Sequence, residues 1–210
     1  MGAPAALRRS GPFALAALAP RGARDRLRRG CGPLARAGLT LRMLALLLVA
    51  CTPTLPADTS PVGPALSPFA KAFVDAHNDA RGRAQPTPSP ALPDLTWDDG
   101  LAQIAAEWAA GCVFEHSTGN TGENLAAFSN SVEPKVVVDA WFSEIDDYDY
   151  ATDTCAAGKQ CGHYTQVVWR TTERVGCALQ VCDNLRGFGP AEYWVCEYDP
   201  AGNWVGQKPY

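Results

Sequence analysis

The cysteines constrain this chain more than any other feature. Of eight, Cys31 precedes a short apolar run and Cys51 follows it directly, while Cys112, Cys155, Cys161, Cys177, Cys182 and Cys196 fall in the C-terminal half. The run, Met43 to Ala50, comes after Arg36 and Arg42 and is too short to span a bilayer, so it reads as the apolar core of an export signal. Cleavage behind it removes Cys31. With Cys51 set aside as discussed below, an even six remain in an oxidising compartment, where three disulfides are expected and a thiolate zinc site is disfavoured. The residues alone do not choose among the possible pairings.

Leu48-Val49-Ala50-Cys51 resembles a bacterial lipoprotein cleavage box. Cys51 is then the lipidated first residue of the mature chain and a membrane its partner, with ordinary secretion after Ala50 as the alternative. Either route leads to an extracytoplasmic location. Residues 1–50 form the targeting segment. Residues 51–67, with Pro53, Pro56, Pro61 and Pro64 and no apolar period, form an extended tether, and residues 68–210 form the folded domain.

Charge is divided unevenly. The first fifty residues hold nine Arg and one acid, leaving nine Lys plus Arg against twenty-one Asp plus Glu from Cys51 onward, a balance near −12. Such a surface repels polyanions, and no basic run interleaved with aromatics follows Ala50, so nucleic acid is excluded as a partner.

Local patterns place the elements. Ser67-Pro68 is a cap followed by proline at the first helical position, and Phe69, Phe73, Ala76 and Ala80 line one side of a helix to about Arg81. Asp98 or Asp99 caps a second helix whose stripe is Leu101, Ile104, Ala105 and Trp108, ended by Gly111. A third, about Glu133 to Ile145, carries Val137, Val138, Trp141, Phe142 and Ile145, a band broad enough to pack on two sides. Gly162 to Trp169 is a brief helix. Val175, Cys177, Leu179 and Val181 alternate with mostly polar neighbours, and Tyr193 to Tyr198 is rich in aromatics and Val, which predicts antiparallel strands in the last third. Helices on both sides of a central antiparallel sheet give an α+β fold, a disulfide-stabilised three-layer α-β-α sandwich.

Six segments, in order, resemble the CAP superfamily: His77-Asn-Asp-Ala-Arg81, Cys112-Val-Phe-Glu-His-Ser117, Gly122-Glu-Asn-Leu125, Trp141-Phe-Ser-Glu144, Gly162-His-Tyr-Thr-Gln-Val-Val-Trp169 and Tyr198-Asp-Pro-Ala-Gly-Asn203. Together with the closing Gly-Asn-Trp-Val-Gly-Gln-Lys-Pro-Tyr210, they are most similar to the plant pathogenesis-related proteins of group 1. The resemblance implies the α-β-α sandwich and the disulfides Cys112–Cys182, Cys155–Cys161 and Cys177–Cys196. The chain departs from the plant pattern in a longer loop over Asp183 to Glu192 and in its lipobox, so a plant defence role does not carry over.

The resemblance also implies a cleft lined by His116, Glu123, Glu144 and His163. Two imidazoles and two carboxylates from separate segments suit a divalent ion such as zinc, with His116 and His163 as ligands and the carboxylates oriented around water. His77, the remaining histidine, is read as structural together with Asn78 and Arg81. Tyr148, Tyr150 and Tyr164 flank the loop Asp146 to Cys161, and the family includes members that bind sterols or fatty acids near such loops.

Three functions compete. A binding module holding a metal ion, and with it a lipid or cell-envelope ligand, without turnover, is preferred. A metal-dependent, peptidase-like hydrolase would use Glu123 or Glu144 to activate water. However, neither a Gly-x-Ser-x-Gly elbow nor a His-Glu-x-x-His string occurs. A structural envelope protein would use the four residues only to tie helices to sheet.

Overall fold

The computed structural model describes residues 65–186 and 188–210. The targeting segment with Cys31, the lipobox with Cys51 and nearly all of the tether lie outside those residues. Helix α1, Pro68–Gly82, starts where Ser67 Oγ accepts the Ala70 amide at 3.1 Å. Helix α2, Asp99–Ala109, is capped by Asp98, whose carboxylate accepts the Leu101 amide at 3.0 Å. Each cap satisfies an amide that the helix itself cannot. Helix α3, Pro134–Phe142, runs into a 3-10 turn over Ser143–Asp147, and α4 spans Gly162–Val167.

The main sheet joins β1 (Thr96–Trp97), β5 (Arg174–Cys182), β6 (Ala191–Asp199) and β2 (Gly122–Phe128), in that order. The β5–β6 and β2–β6 pairs are antiparallel, with registers Cys177↔Cys196 and Leu125↔Val195. Strands β3 (Tyr148–Asp149) and β4 (Thr154–Cys155) form a small separate hairpin. Strand β1 pairs in parallel with β5, so the sheet is not wholly antiparallel. Two residues carry too little pattern to announce a strand, and β1 exists because it lies beside a longer one.

β6 explains the layering. Its alternate residues Trp194, Cys196 and Tyr198 face a core with Phe73, Ala76, Val137, Val138 and Trp141 of α1 and α3. Tyr193 and Val195 face a second core with Ala105 and Ala109 of α2 and Leu125 of β2. A strand covered on both faces reads as a continuous apolar run rather than an alternation. Helix α2 lies on β5 at Gly176, where a missing side chain lets the helix backbone approach. The bridges are Cys112–Cys182, Cys155–Cys161 and Cys177–Cys196, the last joining directly opposed residues of neighbouring strands.

Two expected faces differ. In α2 the buried side is Leu101, Ala105 and Ala109, while Ile104 is 44% exposed, because α2 rests on the sheet along a row of four-residue steps with small residues at the contact. In β5, Val175 and Cys177 are buried but Val181 is 66% exposed, since the strand runs on past the helices that cover its first half. Glu144 lies on the 3-10 turn and not on the helix itself.

His77 sits in the core with no exposed surface. Its Nδ1–H donates to Phe73 O at 2.8 Å and Nε2 accepts from the Tyr198 hydroxyl at 2.8 Å. Burial, helped by nearby Arg81, lowers its pKa from 6.5 to about 4. The unfolded chain therefore takes up this proton first. The neutral ring's contribution is complete above about pH 6.5, declines as pH falls towards 4, and reaches a loss of about 3 kcal/mol below that. Urea unfolding at pH 7 and pH 5 should show a steeper fall in stability for the native chain than for His77→Gln, and equal slopes would disprove this assignment.

Candidate functional site

His116 follows α2 in a loop held on three sides. Cys112 is bonded to Cys182, the Trp108 indole donates to Glu115 O at 2.8 Å, and Arg186 pairs with Glu115. Its Nδ1 lies 2.6 Å from Glu123 Oε1 on β2, and the Ser117 amide donates to the same oxygen at 3.0 Å. Glu123 is two residues before Leu125, on the sheet face that carries α2.

His163 belongs to the opposite layer. Its Nδ1 lies 2.6 Å from Glu144 Oε1, while Glu144 Oε2 accepts the amides of His163 at 2.9 Å and Tyr164 at 3.1 Å. Glu144 thus fixes both the ring and the start of α4. Arg81 holds the other end, its Nη1 donating to Val167 O and Trp169 O, each at 2.9 Å. Trp141 stacks beside the His163 ring, centroids 6.2 Å apart.

The two pairs share a design. A carboxylate only accepts, so each Nδ1 carries the hydrogen, and Nε2 is the nitrogen through which either ring meets a ligand. His116, Glu123 and His163 line one cleft of about 200 Å³, with Glu144 behind His163. Both oxygens of each carboxylate are engaged by N–H groups of the loop or helix beside it. That arrangement orients the two rings. Among the described residues, no cluster of three or more His, Cys, Asp or Glu side chains could hold a metal ion, so a metal here would rest on the two imidazoles and on water or ligand atoms.

The three tyrosines separate. Tyr148 lines the cleft and donates to Asp153 Oδ1 at 2.7 Å. Tyr164 is fully buried against Phe142 and Tyr148, and Tyr150 stacks on Tyr210 at 4.7 Å. The structure brings in residues that sequence reasoning did not assign to the cleft: Asp153, Lys159 and Gln160 from the segment around the Cys155–Cys161 bridge, and Asn203, Trp204 and Gln207 from the C-terminal segment. Asn203 ties that segment to α4, accepting from Thr165 Oγ1 at 2.7 Å and donating to Gly162 O at 2.8 Å. The Gly-Asn-Trp string held the signal, since a polar and aromatic turn after the last strand had no core to enter.

Residues 74–198 match the family model described as "Cysteine-rich secretory protein family" (CAP). Pathogenesis-related leaf protein 4 of Solanum lycopersicum is 38% identical over 178 residues, covering 82% of this chain and 97% of the relative. Pathogenesis-related protein 1B of Nicotiana tabacum is 44% identical over 144 residues, covering 66% and 79%. Human Peptidase inhibitor 16 is 38% identical over 173 residues, covering 80% of this chain but only 36% of its own length. The chain spans about a third of that relative. Among solved structures, NaASP2 with Zn2+ is similar at 27% identity and TM-score 0.54, covering 69% of this chain and 86% of that one. Venom allergen-like protein 4 of Schistosoma mansoni is similar at 26% identity and TM-score 0.56, covering 69% and 95%. With the fold, the three disulfides and the ordered motifs all in agreement, the chain belongs to the CAP family of cysteine-rich secretory proteins.

Proposed function

We propose that this protein is an extracytoplasmic binding module whose cleft takes a divalent ion at His116 and His163, with zinc the best candidate, and works without turnover. The observation that carries the reading is the paired imidazoles on one cleft, each with Nδ1 locked by a carboxylate, the arrangement that orients histidine for a metal through its other nitrogen. NaASP2, which shares the fold, was solved with Zn2+. The three disulfides and the secretory family fit a location outside the cytoplasm, where they persist. An ion held there would act as a Lewis acid towards ligand oxygens, while this chain's groups orient the rings.

The test is calorimetric titration of zinc into the native chain and into the His116→Ala/His163→Ala double variant. Saturable binding is expected in the first and none in the second, with far-UV circular dichroism unchanged. Glu144→Gln should weaken binding roughly 10–100-fold by disordering His163. Zinc binding that survives the double variant would reject the site, and unfolding of that variant would favour a purely structural role for the four residues. Lipid is a weaker expectation for the cleft, because of the three tyrosines only Tyr148 reaches it.

A further inference from the structure

The part of the cleft beyond the histidines has a composition of its own. Among the described residues that line it, none is Leu, Ile, Val, Met or Phe. Its apolar surface is formed by Tyr148, Trp169, Trp204, Pro209 and the Cys155–Cys161 bridge. Its polar lining includes three uncharged carboxamides, Gln160, Asn203 and Gln207, beside Asp153, Lys159 and Thr165. Gln160 and Gln207 both line the cleft, and among the described residues neither side chain has a hydrogen-bond partner. A sterol or acyl chain is bound largely by aliphatic side chains, and among the described lining residues Pro209 alone offers a wholly aliphatic one. A polyanion is disfavoured by the acidic excess of the chain after Ala50 and by Asp153 in the wall, while the ammonium of Lys159, which lines the same wall, is paired with Asp147 at 3.2 Å.

A ligand complementary to such a surface offers flat apolar patches for the rings and adjacent hydroxyls for the amides. Each carboxamide presents a donor and an acceptor side by side, which matches a vicinal hydroxyl pair. Aromatic faces stack on the C–H face of a sugar ring, burying apolar area without requiring depth. At about 200 Å³ the cleft falls below the roughly 300–1,000 Å³ of pockets that enclose a whole small molecule, so it takes one unit of a longer chain.

We infer that the Trp204, Tyr148, Gln160 and Gln207 side of the cleft is a subsite for a neutral oligosaccharide, a class that deepens the binding-module reading and rests on it only in taking this cleft as the ligand site. The sugar contacts are the rings and amides, and the metal is not required for them.

The test titrates chitohexaose, cellohexaose and maltohexaose into the native full chain, followed by tryptophan fluorescence and calorimetry, first in EDTA and then with zinc. Saturable binding of at least one is expected in both conditions. Trp204→Ala and, separately, Gln160→Ala/Gln207→Ala should each weaken it at least tenfold; the second variant changes only solvent-facing amides and keeps the inference testable if the first fails to fold. Absence of binding by all three sugars, or affinity unmoved in the amide variant, would overturn the subsite. So would binding confined to heparin or to sterol-loaded vesicles. Zinc binding without sugar binding removes this inference and leaves the metal site standing; sugar binding without zinc binding does the reverse.

Discussion

Gly176→Ala should yield little or no folded protein. A β-carbon at this position would lie 2.1 Å from the Ala102 nitrogen, 2.5 Å from Asp98 O and 2.6 Å from the Leu101 carbonyl carbon, all of them backbone of α2 or of its cap. Side chains can rotate away from an intruder, whereas a hydrogen-bonded helix must move as a unit. Displacing α2 disturbs the Asp98 cap, the Asp98 amide's bond to Val175 O and the core of Ala105, Ala109, Tyr193 and Val195. Ordinary overpacking costs about 1–3 kcal/mol, and a clash with backbone falls at or beyond the upper end of that range. Expression, followed by thermal melting of whatever is recovered, checks this; a variant melting within a few degrees of the native chain would show that α2 shifts freely.

Arg81→Met should lower stability by about 3–5 kcal/mol and also weaken the proposed zinc binding. The side chain is 2% exposed and donates to Pro93 O at 2.8 Å and to Val167 O and Trp169 O. Methionine fills much of the volume but leaves three carbonyls without their charged donor, at about 1–3 kcal/mol for each group left unsatisfied, partly relieved by relaxation and water. Against a total of roughly 5–15 kcal/mol such a loss is severe. Because two of those carbonyls lie at and just beyond the end of α4, the variant also loosens the helix that carries His163. Urea unfolding measures the first effect and zinc calorimetry the second. A destabilised variant with native zinc affinity would show that Glu144 alone positions the ring.

The legible parts of the fold were those set by local rules. Ser67 and Asp98 cap helices by side-chain bonds to amides three residues on, a relation contained in the sequence itself. The apolar band of α3 is buried, with Val137, Val138, Trp141 and Phe142 all in the core shared with α1, while Ile145, on the 3-10 turn, is only partly buried. What could not be read was set by neighbours distant in sequence. Ile104 and Ala109 differ in apolarity in the direction opposite to their burial, because the height at which α2 sits on Gly176 decides which row touches the sheet. Strand β1 has no period of its own.

The site divides the same way. His116, Glu123, Glu144 and His163 were marked by resemblance, and the residues supplied only a partial reason for them. Pairing each histidine with a particular carboxylate needed coordinates. Glu197 escaped attention altogether: it is fully buried opposite Glu123 in the β2–β6 register, and Thr121 Oγ1 donates to it at 2.5 Å. A glutamate within a strand ordinarily signals the solvent face, and only the two-sided burial of β6 reverses that expectation.

The two histidine–carboxylate pairs come from opposite faces of the sheet, His116 with Glu123 on the α2 side and His163 with Glu144 on the α3 and α4 side. A ligand gripping both rings, as proposed for this cleft, would be a reversible rivet through the sandwich, tying the α2 side to the α3 and α4 side. Occupancy converts into resistance to unfolding by mass action, about 2.7 kcal/mol at a hundredfold excess over Kd. The protein would then be toughest where its ligand is abundant and soften as it diffuses away, so that its lifetime would report the local supply of what it binds.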